Sequence, residues 1–400
     1  MVSDDQSKLT PYLSEVAVFA LALGTTIGWG SMVVTSNTYL AQSGTVGSIL
    51  GIIIGALIIL VIAKNYHFLM NRCPDAGGVC SYTKEAFGYD HAFVSGWFLS
   101  LTYLAVLWAN ATSLPLFTKY FFGDVLKFGF NYSIFSYEVY LGEALICLLA
   151  IALFAFLLTR FKDFVSKLII FIVGFFTVGI TVCFILALFK QGSSHNIEPY
   201  FIENQNAIMQ IIHIACISPW AFIGFENISH ALEEFNFPVS KSFKILSASV
   251  ITASILYIII TLMSVMVYPD NYSNWLDYIR NLKNEQGLNA LPAFYAANKY
   301  LGNMGVYTLM LTLLGLVVSS LIGNTYALSR LFYSMAKLEI IPEKFAKLNS
   351  KGIPANSIWL VVILSIGIPF LGRTAIGWIV DVTTICSTLI YCLFRFQLGN

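Results

Sequence analysis

The sequence predicts an all-α integral membrane protein of ten transmembrane helices. Its composition, its apolar runs and two interrupted helices support this prediction. Hydrophobic residues make up 58% of the 400 residues and charged residues only 11%, whereas charged residues are about 25% of a typical soluble domain. The formal net charge is +1, so the chain has no basic excess with which to bind nucleic acid. These values exclude a soluble globule and make the lipid bilayer the expected surroundings.

Apolar runs account for nearly the whole chain. A bilayer core of about 30 Å requires roughly 20 apolar residues per helix. Runs of this kind lie near residues 15–40, 46–63, 92–118, 140–159, 168–189, 206–232, 245–268, 301–334, 358–372 and 374–394. The N-terminal residues, MVSDDQSKLTPYLSE, lack the pattern of a signal peptide, so the first run is expected to stay in the chain. We expect a single domain over residues 1–400.

The positions of lysine and arginine predict the orientation. If the N-terminus is cytoplasmic, about two thirds of these residues fall in inner segments, and inner loops of membrane proteins carry such an excess. The chain is therefore predicted to be a multi-pass protein of the cell membrane with both termini in the cytoplasm.

Two of the runs contain residues that interrupt helices. The first reads LALGTTIGWGSMVV, with Gly24, Gly28 and Gly30 inside it. The sixth reads CISPWAFIGFENIS, with Pro219 and Gly224 near its middle. Broken helices at corresponding positions of two halves are the best sequence indicator of a transporter's binding site. The alternative is that the glycines only allow close helix packing, which is the role expected of the glycines in the second run.

The ten runs divide into two sets of five, and an odd number inverts the second set relative to the first. The predicted repeats cover residues 15–190 and 206–395. Backbone groups exposed at a break are tolerated in a membrane only where protein, water or a ligand satisfies them. The ends of a broken helix attract a carboxylate and a cation respectively, and an amino acid carries both groups. The breaks place these residues in the expected site: Thr25, Thr26, Gly28, Trp29, Gly30, Pro219, Trp220, Gly224 and Phe225.

At both breaks the sequence resembles the amino acid–polyamine–organocation family of permeases. Three further stretches match its motifs: CPDAGGVCSYTKEAFGYDHAFVSGW (73–97), GFENISHALEEFNFPVSKSFKIL (224–246) and SRLFYSMAKLEIIPEKFAKLNSKGIP (329–354). The resemblance covers residues from about 15 to 395. It implies a LeuT-like fold and secondary active transport of amino acids or related amines by alternating access. Cys80 stands where the family usually has an aromatic residue, and many members have twelve spans rather than ten.

Three residues match functional positions of the family, two of them at the second break and one, Asn110, in the third apolar run. Glu226 matches its Gly-x-Glu glutamate, which implies proton coupling, and a carboxylate at membrane depth is a functional candidate by default. Trp220 and Asn110 resemble the substrate-contacting Trp and Asn of bacterial arginine–agmatine antiporters. The alternatives are a structural carboxylate bonded to backbone at Glu226, an aromatic packed between helices at Trp220 and an interhelical hydrogen bond at Asn110.

The resemblance also places three residues in coupling. Permeases that do not use sodium often hold a lysine ammonium in place of the ion, and Lys167 is the expected equivalent, beside Ser319 and Ser320. Otherwise Lys167 is an interfacial lysine that extends its ammonium to the headgroups. Asp381, inside the tenth run, is expected to be an outer-gate or a structural residue.

Two functions of different classes remain open. The first is a transporter that is independent of sodium and acts as an exchanger or a proton symporter. The second is a membrane sensor built on a permease core, with a signalling region beyond residue 400. The sequence contains no G-x-x-x-x-G-K nucleotide-binding loop and no cysteine and histidine spacing typical of zinc. We therefore expect neither an enzyme nor a bound cofactor or metal, and the sequence does not indicate an oligomeric state.

Overall fold

The computed structural model describes residues 9–135, 137–191 and 197–397, and most of them are helical. The α-helices are α1 (Glu15–Thr26), α2 (Trp29–Val33), α3 (Tyr39–Arg72), α4 (Val79–Phe87), α5 (Tyr89–Ala111), α6 (Ser113–Phe122), α7 (Leu141–Arg160), α8 (Lys162–Gln191), α9 (Ala207–Ile217), α10 (Ser242–Val265), α11 (Trp275–Arg280), α12 (Pro292–Lys337), α13 (Ala355–Ser365) and α14 (Gly372–Gln397). Two short strands, β1 (Asn131–Ile134) and β2 (Tyr137–Tyr140), form an antiparallel hairpin between α6 and α7.

Eight helical stretches among the described residues are long and apolar enough to cross a membrane. They are Trp29–Arg72, Tyr89–Phe122, Leu141–Arg160, Lys162–Gln191, Ala207–Glu234, Val239–Val265, Pro292–Lys337 and Ala355–Thr383. The shorter apolar helix α1 precedes them. The number differs from the ten predicted runs because neighbouring runs join into continuous helical stretches. The protein is therefore a multi-pass membrane protein whose described residues are mostly helical, with one small hairpin among them.

Both predicted interruptions are present. Helix α1 ends at Thr26, the next two residues are extended, and α2 begins at Trp29. Helix α9 ends at Ile217 and continues as a 3₁₀ turn that stops before Gly224. Gly224 has φ +109°, a conformation that residues with a β-carbon rarely adopt. A second 3₁₀ segment, Phe225–Glu234, then completes this stretch.

Two glycines of the second run, Gly51 and Gly55, pack closely against the sixth run, in keeping with the close-packing role expected of them. A β-carbon added to Gly51 would lie 2.4 Å from Ile214 Cβ, and one added to Gly55 would lie 1.8 Å from Ser218 Oγ. The Ser218 hydroxyl donates to the carbonyl of Gly51 at 3.2 Å. Helix α3 therefore approaches α9 and the following turn so closely that these positions exclude a side chain.

Candidate functional site

A cavity of about 70 Å³ lies between the two interruptions. It is lined by Thr25, Thr26, Gly28, Gly30, Ser31, Val106, Ala109, Asn110, Trp220, Ala221, Ile223, Arg373 and Val380. The predicted residues among these are Thr25, Thr26, Gly28, Gly30, Asn110 and Trp220. The cavity is a space at membrane depth where exposed backbone and a few polar side chains converge, as in small-molecule sites generally.

Asn110 of α5 contacts the first interruption directly. Its Oδ1 accepts a hydrogen bond from the Trp29 backbone N–H at 3.2 Å, and its Nδ2 donates to the Val106 carbonyl at 2.9 Å. A β-carbon on Gly28 would lie only 2.3 Å from Asn110 Oδ1. Glycine at this position is therefore required by the approach of the amide.

The two interruptions also contact each other. The Thr25 hydroxyl donates to the Gly224 carbonyl at 2.7 Å, and a β-carbon on Gly224 would lie 2.8 Å from the Thr25 carbonyl oxygen. Tyr257 of α10 adds a second connection, since its hydroxyl donates to the Ala221 carbonyl at 2.6 Å. Nothing in the sequence singles out Tyr257, because a tyrosine in an apolar run is usually a packing residue. These bonds satisfy backbone groups that would otherwise be unpaired inside the membrane.

Glu226 lies behind the cavity wall rather than in it. Its side chain is 1% exposed, its Oε2 accepts from the Gly224 N–H at 2.9 Å, and its Oε1 accepts from the Tyr103 hydroxyl at 3.3 Å. These contacts hold the second interruption in place. They agree with the structural alternative, and they also place a buried carboxylate where it could respond to a movement of this segment.

Some predicted site residues have other surroundings. Trp29 stacks on Tyr120 with ring centroids 5.9 Å apart, and it lines a second, larger space beside the cavity. Phe225 is fully buried and packs edge-on against Tyr66. Pro219 begins the 3₁₀ turn. Together with Gly224, these residues shape the breaks without lining the cavity.

The structure does not bring Lys167 to Ser319. The Lys167 side chain is exposed near the start of α8, whereas Ser319 is buried and its hydroxyl donates to the Gly24 carbonyl at 3.2 Å. The α8 residue that approaches this place is Val173, whose Cγ2 would lie 3.1 Å from a β-carbon on Gly24. Ser320 is buried beside it in α12. The lysine is about six residues too early on the helix to reach the first interruption, so its placement agrees with the interfacial alternative.

Helix α14, which contains the tenth run, contributes an arginine to the cavity. Asp381 is exposed, whereas Arg373, in the first turn of α14, lines the cavity. Sequence reasoning missed Arg373 because it lies at a predicted helix end, where a basic residue is ordinary.

A vestibule of about 990 Å³ lies on one side of the cavity, and Arg373 lines this space as well. We call this side the vestibule face. The opposite side, the N-terminal face, is closed by a buried ion pair between Glu234 and Arg330, whose side chains are almost fully buried. The Nε and Nη2 atoms of Arg330 each donate to one Glu234 oxygen at 3.0 Å. The Glu234 carbonyl accepts from the N–H groups of Tyr12 and Leu13. The cavity thus adjoins the vestibule at Arg373, which lines both spaces.

Comparison with known proteins identifies the family. The model of the amino acid permease family matches residues 13–396. The chain belongs to this family. Its members and the relatives of this permease are membrane transporters rather than enzymes, which confirms the family resemblance of the broken helices and the three motif stretches.

Individual relatives are distant but cover most of the permease. A methylthioribose transporter of Bacillus subtilis is 25% identical over 94% of this chain and 78% of its own length. A branched-chain amino acid permease of Lactococcus lactis is 24% identical over 87% of this chain and 73% of its own length. The solved outward-open, substrate-bound state of a Na⁺-coupled sialic acid symporter superposes with a TM-score of 0.62 at 12% identity, covering 99% of the permease and 81% of that chain. This neighbour shows a shared, LeuT-like fold.

Proposed function

We propose that the permease is a secondary active transporter of amino acids or related amines, working by alternating access around the central cavity. The observation that supports this most is the direct contact of two interrupted helices beside a cavity lined by backbone and by Asn110 and Trp220. In this proposal the Gly28–Gly30 backbone binds the substrate carboxylate, carbonyl groups at the breaks bind the ammonium, and Trp220 packs on the remainder.

The proposed transporter has ten spans in two inverted repeats, residues 15–190 and 206–395. The stretch Trp29–Arg72 contains 44 residues, about 66 Å of helix at 1.5 Å per residue, which is roughly twice the bilayer core. Gly44, with φ +69°, divides it. A 3₁₀ turn, Ile368–Leu371, likewise divides the last stretch. If α1 and α2 belong to one crossing, and if Gly44 and the 3₁₀ turn each divide one stretch in two, the eight stretches make ten crossings. The lysine and arginine distribution supports a cytoplasmic N-terminal face.

Transport is proposed to be independent of sodium and coupled, if concentrative, to protons. Among the described residues that line the cavity there is no carboxylate to help bind a sodium ion, and the valine side chain of α8 packs beside Gly24 and Ser319. Glu226 is the leading proton carrier because it is a buried carboxylate bonded to the second interruption.

Uptake into vesicles tests the proposal. The purified full chain is reconstituted and assayed with labelled amino acids and amines, with and without sodium and a pH gradient. We expect saturable uptake that sodium does not alter. Binding without uptake would instead favour a sensor, and a strict sodium requirement would contradict the coupling proposal.

Two leucine substitutions provide a matched test of the site. A β-carbon on Gly30 would point toward Trp220 Cη2 at 3.5 Å, whereas one on Gly174 would meet nothing within 4 Å. Gly30→Leu should fill the cavity and abolish substrate binding, while Gly174→Leu should bind normally. If Gly30→Leu binds substrate as well as Gly174→Leu does, the site lies elsewhere.

Glu226→Gln tests the proposed proton carrier. Because glutamine cannot titrate, the variant should keep substrate exchange but lose the pH dependence of uptake between roughly pH 5 and 8. An unchanged pH profile would assign Glu226 a purely structural role, and pure exchange would become the working mechanism.

A further inference from the structure

Arg373 is the one charged residue among those that line the central cavity. It is the second residue of α14, after Gly372, and its side chain is partly buried. It also lines the vestibule. A substrate passing from the vestibule to the cavity therefore meets this guanidinium.

Arg373 has no carboxylate partner within 4 Å in the part of the chain that the structure describes. The polar contact of its guanidinium is Nη1 to the Thr112 hydroxyl at 3.5 Å, a long hydrogen bond. The neighbouring Tyr120 and Tyr137 supply phenol groups rather than anions. A cation removed from bulk water is costly unless a counter-charge balances it. The positive charge of Arg373 is therefore unfavourable in the cavity unless a bound anion neutralises it.

The acidic residues of the vestibule do not supply that anion. Asp124 is paired with Lys127 at 2.9 Å, and Glu285 accepts a hydrogen bond from the Tyr272 hydroxyl at 2.6 Å. The other charged residues that line this vestibule are lysines, at positions 119 and 283. The route to the cavity consequently carries a net positive charge, which attracts anions and repels cations.

We propose that Arg373 selects amino acids with a carboxylate side chain, such as glutamate and aspartate. This rests on the proposed function, because the α-ammonium and α-carboxylate of the substrate are taken to bind at the two interruptions. Those two groups balance each other, so the charge of Arg373 is balanced only by a third, anionic group on the substrate. A planar guanidinium also matches a carboxylate with two parallel hydrogen bonds. Lysine, arginine and polyamines are rejected by like-charge repulsion.

The test uses pairs of nearly isosteric substrates. Full-length protein in vesicles is assayed with labelled L-glutamate and L-glutamine, with unlabelled glutamate, glutamine, aspartate, asparagine and lysine as competitors. In the unchanged protein, glutamate and aspartate should compete at least about tenfold better than their amides, since a buried charge-assisted pair contributes this much or more.

Substitutions assign the preference to Arg373. In Arg373→Gln, the ratio of the affinity for an acidic amino acid to the affinity for its amide should fall close to one, while glutamine uptake is retained. Arg373→Lys should keep an intermediate preference for the acids. Lys190→Gln removes an exposed cation at the end of α8 that lines neither space, and it should leave the ratio unchanged.

The outcomes separate the two proposals. Equal competition by glutamate and glutamine, or uptake of neutral or cationic amino acids with no acidic preference, would overturn the role of Arg373 and leave the proposed function intact. An acidic preference that persists in Arg373→Gln would also overturn it. Failure of every compound in the broader panel of labelled amino acids and amines to be taken up or bound would overturn the proposed function together with this inference.

Discussion

The indole of Trp220 is the largest side chain at the cavity and is only partly buried. It faces Gly30 across a gap that would just accommodate a β-carbon. An aromatic face in this position can pack on an ammonium or on an aliphatic chain, and each such contact is worth about 0.5–2 kcal/mol.

Trp220→Ala should therefore weaken substrate binding by about 1–2 kcal/mol, or roughly tenfold. Trp220→Phe keeps a smaller ring and should retain part of the affinity. Both are measured by calorimetry or a scintillation proximity assay with purified protein. If neither variant changes the affinity, Trp220 has only a packing role.

At the scale of elements, the contact of α3 with the sixth run depends on the absence of side chains at Gly51 and Gly55. Gly55→Ala would place a methyl group against Ser218 Oγ and displace the bond from that hydroxyl to α3. Overpacking of this kind costs about 1–3 kcal/mol. We expect an apparent melting temperature several degrees lower in detergent.

Gly174→Ala is the matched control for this contact. Gly174 is also helical, but a β-carbon there meets nothing within 4 Å, so the alanine should be neutral or slightly stabilising. Similar melting temperatures for the two alanine variants would contradict the argument from packing.

A second contact between elements is the ion pair of Glu234 and Arg330, which joins the 3₁₀ segment Phe225–Glu234 to α12. The guanidinium also lies 3.8 Å from the Tyr326 ring centroid, and the Tyr326 hydroxyl donates to Glu234. Arg330→Met leaves a carboxylate buried without its cation, which typically costs about 3–5 kcal/mol.

The double variant Glu234→Gln/Arg330→Met separates charge from shape. It removes both charges, so it should be more stable than Arg330→Met alone. Thermal unfolding in detergent measures the difference. If the double variant is no more stable than Arg330→Met, the loss of packing rather than an unpaired charge accounts for the destabilisation at this face.

At the scale of the whole molecule, the proposed orientation places the vestibule outside the cell and the N-terminal face in the cytoplasm. Lys283 and Lys344 are exposed in two different connections, of which the first lines the vestibule. In intact cells a membrane-impermeant thiol reagent should label Lys283→Cys. It should label Lys344→Cys only after permeabilisation. The unchanged protein gives the background from its own cysteines, and labelling of Lys344→Cys in intact cells would contradict the orientation.

The sequence by itself determined the class, the family and the positions of both breaks. Apolar runs of this length have no stable alternative to membrane helices, because unpaired backbone groups are too costly in lipid. Glycine and proline act locally on the backbone, so the interruptions before Trp29 and at Gly224 could be read directly from the chain.

Only the tertiary structure decided which side chains share the cavity. Arg373 and Asp381 lie on the same helix, yet the arginine lines the cavity and the aspartate is exposed. On α8, Val173 packs beside Gly24 and Ser319, whereas Lys167 is exposed. The lipid-facing and protein-facing sides of a long membrane helix such as α8 are both apolar, so its sequence carries little amphipathic pattern and its rotation is set by neighbouring helices. A residue's depth could therefore be predicted, whereas the direction of its side chain depended on packing between residues far apart in the chain.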